Sequence, residues 1–108
     1  MAIGMLMTWS GFTKEQYDKV TDILDLGNKP QPGMLFHCAG QASGGWRVFD
    51  IWESQEAFDR FTKDRLGPAF KKADVQGSGP TPEFFPIHNV QVSDVKALSS
   101  RARGAGGR

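Results

Sequence analysis

The hydrophobic positions fall into short strand-like runs separated by stretches of helical spacing. Ile3–Ser10 is a short apolar run that ends at Gly11 and reads as a strand. Thr13 opens a helix, and Gln16 three residues later completes a capping box. Tyr17, Val20 and Leu24, with Ile23 and Leu26, place one apolar face at helical spacing. Gly27-Asn28 is the expected stop, and Pro30 and Pro32 hold an extended connection. Gly33–Gly40 and Trp46–Glu53 read as two more strands, joined through the hairpin signal Gln41-Ala42-Ser43-Gly44-Gly45. Ser54 caps a second helix whose buried stripe is Ala57, Phe58, Phe61 and Leu66. Gly67-Pro68 breaks or kinks it, with Pro68 suited to the first turn of a further helical stretch through Ala73. After the Gly/Pro/Ser loop Gln76–Pro82, Phe84–Val92 is the last strand, and Pro86 argues that it lies at an edge.

The predicted order is β-α-β-β-α-β, which defines an α+β fold of the ferredoxin-like kind with a four-stranded antiparallel sheet. The first and third strands are then central and the second and fourth are edges. Residues 1–92 form the single domain, and 93–108 a flexible C-terminal tail.

The third strand predicts an assembly. Val48, Asp50 and Trp52 share one face, and Arg47, Phe49 and Ile51 the other, so both faces hold large apolar groups. Two helices cover one face of such a sheet. The other would stay bare as a patch larger than monomers tolerate unless a second copy packs sheet to sheet against it. The alternative is that the tail folds back over that face, with Val95 and Leu98 as its only large apolar residues.

Composition narrows the partners. The chain has 108 residues and a net charge of +1, without the basic stripe of a nucleic-acid binder. Arg101, Arg103 and Arg108 cluster only in the Gly-rich end. The one cysteine, Cys38, allows no internal disulfide, so a reducing cytoplasm is the default. Met1–Ser10 lacks the basic start of a signal peptide, and no run approaches a membrane span. Two His and one Cys give no zinc spacing, and the glycines form no phosphate loop, so no metal or cofactor is implied.

The segment from Gly45 through Phe61 carries a resemblance. Its Trp52-x-Ser54-x-x-Ala57-Phe58 pattern closes a strand and opens a helix. In this it resembles the dimeric α/β-barrel superfamily, most closely the antibiotic-biosynthesis-monooxygenase-like group. Pro86-Ile87-His88-Asn89-Val90 sits where that group has its final strand. The resemblance covers roughly residues 3–92 and implies a homodimer joined through sheet faces. Its activities include cofactor-free oxygenation of reduced aromatic polyketides, haem degradation and lactone isomerisation. Haem degraders use an Asn, a Trp and a His where ungapped matching from Trp52 finds Met5, Phe61 and Lys71. None of the three is present, which speaks against haem degradation. The polyketide oxygenases pair the Trp at the strand end with an Asn and a Tyr. Here Trp52 matches, while Val48 and Phe58 stand at the other two positions.

The polar residues that interrupt apolar strands are the candidates for chemistry. On the second strand, Met34, Phe36 and Cys38 share one face and Leu35, His37 and Ala39 the other. If the hairpin loop is even in length, His37 lies opposite Asp50, with Trp52 beside them. The Asp would orient the imidazole, and the His would take a proton from an acidic phenol or carbon. An odd loop would set His37 against Phe49 or Ile51 instead. A His–Asp pair can equally be plain structure. His88 is the second candidate, as a donor to a substrate oxygen or as a structural histidine. Trp9, Trp52, Phe58 and Phe61 are candidate walls for a flat hydrophobic molecule, or ordinary core.

Two function classes follow. One is a small cofactor-independent enzyme, a monooxygenase, isomerase or cyclase, acting on a hydrophobic aromatic or polyketide-like molecule. The other is a non-catalytic dimeric barrel that binds a small ligand.

Overall fold

The computed structural model describes residues 1–76 and 79–99. The Gly/Arg end with Arg101, Arg103 and Arg108, and most of the tail expected to be flexible, lie outside the described residues. Strand β1 (Ile3–Trp9) leads into α1 (Lys14–Leu24). The hairpin β2 (Met34–Ala42) and β3 (Gly45–Trp52) follows. A helical run then comprises α2 (Gln55–Phe61), a π-turn (Thr62–Leu66) and α3 (Gly67–Lys72), before β4 (Glu83–Pro86). The sheet order is β2-β3-β1-β4 with antiparallel neighbours, so β1 and β3 are central and β2 and β4 are edges. The α+β ferredoxin-like order expected from the pattern is the one observed.

The capping box forms as the spacing predicts. Gln16 N–H donates to Thr13 Oγ1 at 3.1 Å, and Thr13 N–H donates to Gln16 Oε1 at 3.0 Å. The helix ends earlier than the glycine suggested. Asp25 turns left-handed (φ 52°, ψ 46°), a conformation that a short polar side chain tolerates, and its carboxylate accepts from Asn28 Nδ2.

The hairpin turn is two residues, Ser43-Gly44, because Ala42 pairs with Gly45. Gly45 has φ 137°, and a Cβ there would lie 2.6 Å from the carbonyl oxygen of Trp9, so only glycine fits. The even turn sets His37 opposite Asp50. One bulge corrects the facing read from simple alternation. Met34 pairs with Trp52 and Phe36 with Ile51, so Leu35 is the extra residue. Met34 and His37 therefore share the helix side, while Phe36 and Cys38 face away.

Gly67-Pro68 does not break the helix. Proline has no N–H to give to the carbonyl four residues back. The chain widens locally instead, and Gly67 N–H reaches Thr62 O, one residue further back than in an α-helix. Strand β4 is four residues rather than nine. It stops at Pro86, apart from one further bond from Ile87 N–H to Ala2 O.

Helices cover one face of the sheet. Met5 and Trp52 are fully buried there, with Val48, Phe58, Phe61 and Ala69 around them. The outer face carries the Phe36–Phe49–Phe85 row, with ring centroids 6.3 and 6.1 Å apart. Phe85 lies over Gly4, where a Cβ would come within 2.7 Å of its ring. The segment after β4 runs onto this face, and Val90, Val92 and Leu98 meet Phe36 and Ile51 around an open hollow. It does not seal the face, since Val90 and Val92 stay 55% and 45% exposed. Residues 95–99 are helical, with Asp94 Oδ1 accepting from Ala97 N–H at 2.8 Å. No helix among the described residues is long and apolar enough to cross a membrane.

Candidate functional site

A cavity of about 90 Å³ lies between the sheet and the helices. Its floor is Met5, Met7 and Val48 from the sheet, and its roof includes Val20, Leu24, Phe58 and Phe61 from the helices. Trp9 closes one end, stacked on Phe12 with centroids 4.3 Å apart. Among the described residues the walls are apolar apart from four side chains, Tyr17, Thr21, His37 and Asp50, and no Lys or Arg lines the space.

Three of those four form a chain of hydrogen bonds that starts in the core. Asp50 sits mid-strand on the helix face of β3 and is only 3% exposed. A buried carboxylate must have its oxygens satisfied. Trp52 Nε1–H, two residues along the same strand face, donates to Asp50 Oδ2 at 3.0 Å. His37, across on β2, donates from Nδ1 to Asp50 Oδ1 at 2.6 Å. A carboxylate only accepts, so the proton of the neutral imidazole belongs on Nδ1, and Nε2 is left with a lone pair. Tyr17 Oη–H donates into that lone pair at 2.5 Å. The phenol and imidazole planes are parallel to within 5°.

Tyr17 lies on the inward face of α1, one turn after the cap, with its ring against Trp46 at 5.0 Å. Burial, with Asp50, Asp18 and Cys38 adding negative potential, pushes its hydroxyl from the ordinary 10.0 up to about 12. Burial first, then Asp50, likewise pushes the Cys38 thiol up, with a hydrogen bond from the Phe49 backbone opposing them. Tyr17 is the chain's one tyrosine, so near-ultraviolet titration reads it alone. Its absorbance is expected to change with a midpoint near pH 12, and a midpoint at 10 would contradict the buried hydroxyl. The linkage sign follows from a raised native pKa. The stabilisation is complete below pH 10. It is lost as pH rises through 12, because the unfolded chain releases a proton that the folded chain still holds.

The structure brings together some of the residues singled out from sequence and separates others. His37, Asp50, Trp9, Phe58 and Phe61 line the cavity. Trp52 does not; it is buried behind Asp50 and packs on Phe58 and Phe61, so it holds the carboxylate rather than walling the space. His88 is exposed beyond the end of β4 and away from the cavity, because the strand that would have carried it inward stops at Pro86. The sequence reading missed Tyr17, which it counted only as part of an apolar helix face. A buried phenol needs a partner for its hydroxyl, and that requirement was the available signal. It also missed Met5, Met7, Phe12 and Phe70.

No protein-family model and no curated protein matches the chain. Solved structures match in fold. A protein of Chloroflexus aurantiacus J-10-fl, provisionally named an antibiotic biosynthesis monooxygenase, superposes with TM-score 0.59 at 16% identity, covering 86% of this chain and 100% of the other. SnoaB, a cofactor-independent oxygenase from Streptomyces nogalater, gives TM-score 0.53 at 14% identity, with 82% and 93% covered. A dimeric ferredoxin-like protein of unknown function from Thermobifida fusca YX gives 0.56 at 14%, with 81% and 92% covered. The chain thus shares the ferredoxin-like fold of antibiotic-biosynthesis-monooxygenase-like proteins, as the pattern around Trp52 implied.

Proposed function

We propose that this chain, built on the fold it shares with the antibiotic-biosynthesis-monooxygenase-like proteins, is a cofactor-independent enzyme. Its substrate is a hydrophobic aromatic or polyketide-like molecule, from which it first removes a proton. The observation that carries this reading is the His37–Asp50 pair at the polar end of an otherwise apolar cavity. Asp50 fixes the imidazole with Nε2 as the acceptor and stabilises the imidazolium that proton transfer creates. His37 keeps 29% of its side chain exposed to solvent, and on the cavity side the anion meets mainly apolar walls. A reduced phenolate or enolate held there is electron-rich enough to react with dioxygen directly, so oxygenation needs no further group from the protein. Isomerisation or cyclisation would use the same proton transfer without oxygen. The cavity is smaller than the roughly 150 Å³ that holds a benzene ring. A flat ligand therefore has to displace the flexible side chains of Met5, Met7 and Met34.

One observation favours a second reading, a non-catalytic ligand-binding barrel. The Tyr17–His37–Asp50–Trp52 chain is already hydrogen-bonded from end to end, as a structural network would be. Oxygen uptake with a panel of hydroquinones and anthrones separates the two. Uptake by the wild type that His37→Ala removes, with the fold intact by circular dichroism, is the expected result. No uptake with any of them would remove oxygenation and leave isomerisation, cyclisation or binding.

We also propose that the chain works as a homodimer through its outer sheet face, on which Phe36, Phe49 and Phe85 lie in a row and the post-β4 segment leaves apolar groups exposed. Sedimentation of Phe49→Asp is expected to give a monomer where the wild type gives a dimer. A monomeric wild type would contradict the assembly. The single cysteine fits a cytoplasmic setting.

A further inference from the structure

His37 Nε2 is already engaged within the protein. Tyr17 Oη–H donates to His37 Nε2, the very nitrogen that has to receive the proton. While that bond stands, nothing in the cavity reaches Nε2. Tyr17 itself lines the cavity, and among the described residues His37 is the only hydrogen-bond partner of its hydroxyl. The cavity surface is almost wholly apolar, so a ligand reaches the hydroxyl's remaining lone pair once the flexible Met side chains have moved aside. The bond also joins α1 to the edge strand β2, so the phenol is held at both ends, by the helix backbone and by the imidazole.

We infer that Tyr17 is the catalytic residue that contacts the substrate, relaying its proton to His37. This rests on the reading of His37–Asp50 as the base. In the step, the substrate O–H or C–H bond breaks and its proton joins Tyr17 Oη. The original Oη–H bond breaks at the same time and its proton joins His37 Nε2. One bond to hydrogen forms for each that breaks, and no electrons leave the system. The products are the substrate anion, a neutral Tyr17 and an imidazolium beside the Asp50 carboxylate. The rebuilt Oη–H then donates to the anion and holds it. A hydroxyl whose pKa burial has pushed to about 12 does not ionise first and wait, so the two transfers are coupled.

The relay also defines the substrate class. The acidic hydrogen must point at Tyr17 Oη, at the polar end of the space. The rest of the molecule meets Met, Leu, Val and Phe side chains, and with no Lys or Arg among the described residues lining the cavity a carboxylate or phosphate finds no such counter-charge there. The substrate is thus an uncharged, largely apolar molecule with one acidic phenol or enolisable methylene.

Exchange of the methylene protons of 2-indanone and anthrone in D₂O, followed by NMR without oxygen, tests proton removal apart from any oxygenation. Wild type is expected to exchange them, and Tyr17→Phe and His37→Ala each to be slower by about 10²–10³-fold. Tyr17→Phe exchanging at the wild-type rate while His37→Ala is slow would overturn the relay and leave the base reading intact; the phenol would then be a place-holder that leaves when substrate arrives. Wild type exchanging no faster than His37→Ala would overturn the base reading and the relay with it. Because the chain has one tyrosine, growth on 3-fluorotyrosine labels Tyr17 alone and keeps the hydroxyl if Tyr17→Phe does not fold. A ¹⁹F resonance that moves with 2-indanone, together with an altered exchange rate, supports the relay. An unmoved resonance and an unchanged rate overturn it.

Discussion

Asp50→Asn is expected to lower the turnover number by about 10³–10⁴-fold while leaving the fold in place. The reason is the polarity of the hydrogen-bond chain. Trp52 Nε1–H is a donor only, so it pins the amide oxygen of an asparagine where Asp50 Oδ2 now sits. The amide nitrogen then faces His37 Nδ1, which has to accept. The imidazole proton moves to Nε2, which becomes a donor, and Tyr17 Oη has to receive it. Every bond beyond Trp52 reverses, and the nitrogen that should take a proton already carries one. The ¹⁵N shifts of His37 report the tautomer directly. An asparagine variant that turned over at the wild-type rate with the proton on Nε2 would mean that the pair is not the base.

Trp52→Ala is expected to cost about 3–5 kcal/mol, the range for truncating a large buried aromatic side chain. The indole is fully buried and touches Phe58 edge-on at 5.6 Å and Phe61 at 5.3 Å, so the cavity left behind lies beneath the ligand space. A domain of this size has only about 5–15 kcal/mol in hand, so the variant should be close to unfolding at room temperature. Trp52→Phe separates packing from polarity. It restores most of the apolar volume but leaves Asp50 Oδ2 buried without its donor, a loss of about 1–3 kcal/mol. Urea midpoints at unchanged slope give both values. An alanine variant within 1 kcal/mol of wild type would show that the site collapses around the gap and that Trp52 is not the anchor of this core.

The element order was legible because hydrophobic spacing and turn chemistry agree for every strand and helix. Which face of β3 the helices cover was not legible, because both faces carry large apolar groups. The pairing of His37 with Asp50 was not, because it hangs on the parity of a turn. Five consecutive turn-forming residues hide which two make it, and the choice falls on Ser43-Gly44 once Gly45 adopts φ 137°. The bulge at Leu35 leaves no mark in the sequence, yet it decides that Met34 and not Leu35 faces the cavity with His37. Tyr17 was visible as an inward residue but not as a polar one, since its partner lies twenty residues away on another element. Trp52 was expected as a wall of the ligand space; in the structure it is fully buried, with its indole N–H on Asp50 Oδ2. His88 was placed by extending a strand through a proline, which cannot give the ladder its N–H.

The π-turn acts as a frame shift within one helical run. In an unbroken α-helix, the stripe through Phe58 and Phe61 would continue at Arg65. The extra residue in the wider turn rotates everything after it by about 100°. Leu66 and Phe70 face the cavity instead. Arg65 is turned aside to bind Leu24 O at 2.8 Å and Gln31 Oε1 at 3.0 Å, tying down the end of α1. Position-by-position comparison with an unshifted helix therefore slips by one beyond residue 62. The ungapped match that put Lys71 where haem degraders need a histidine then becomes Lys72, so a lysine stands at that position in either frame.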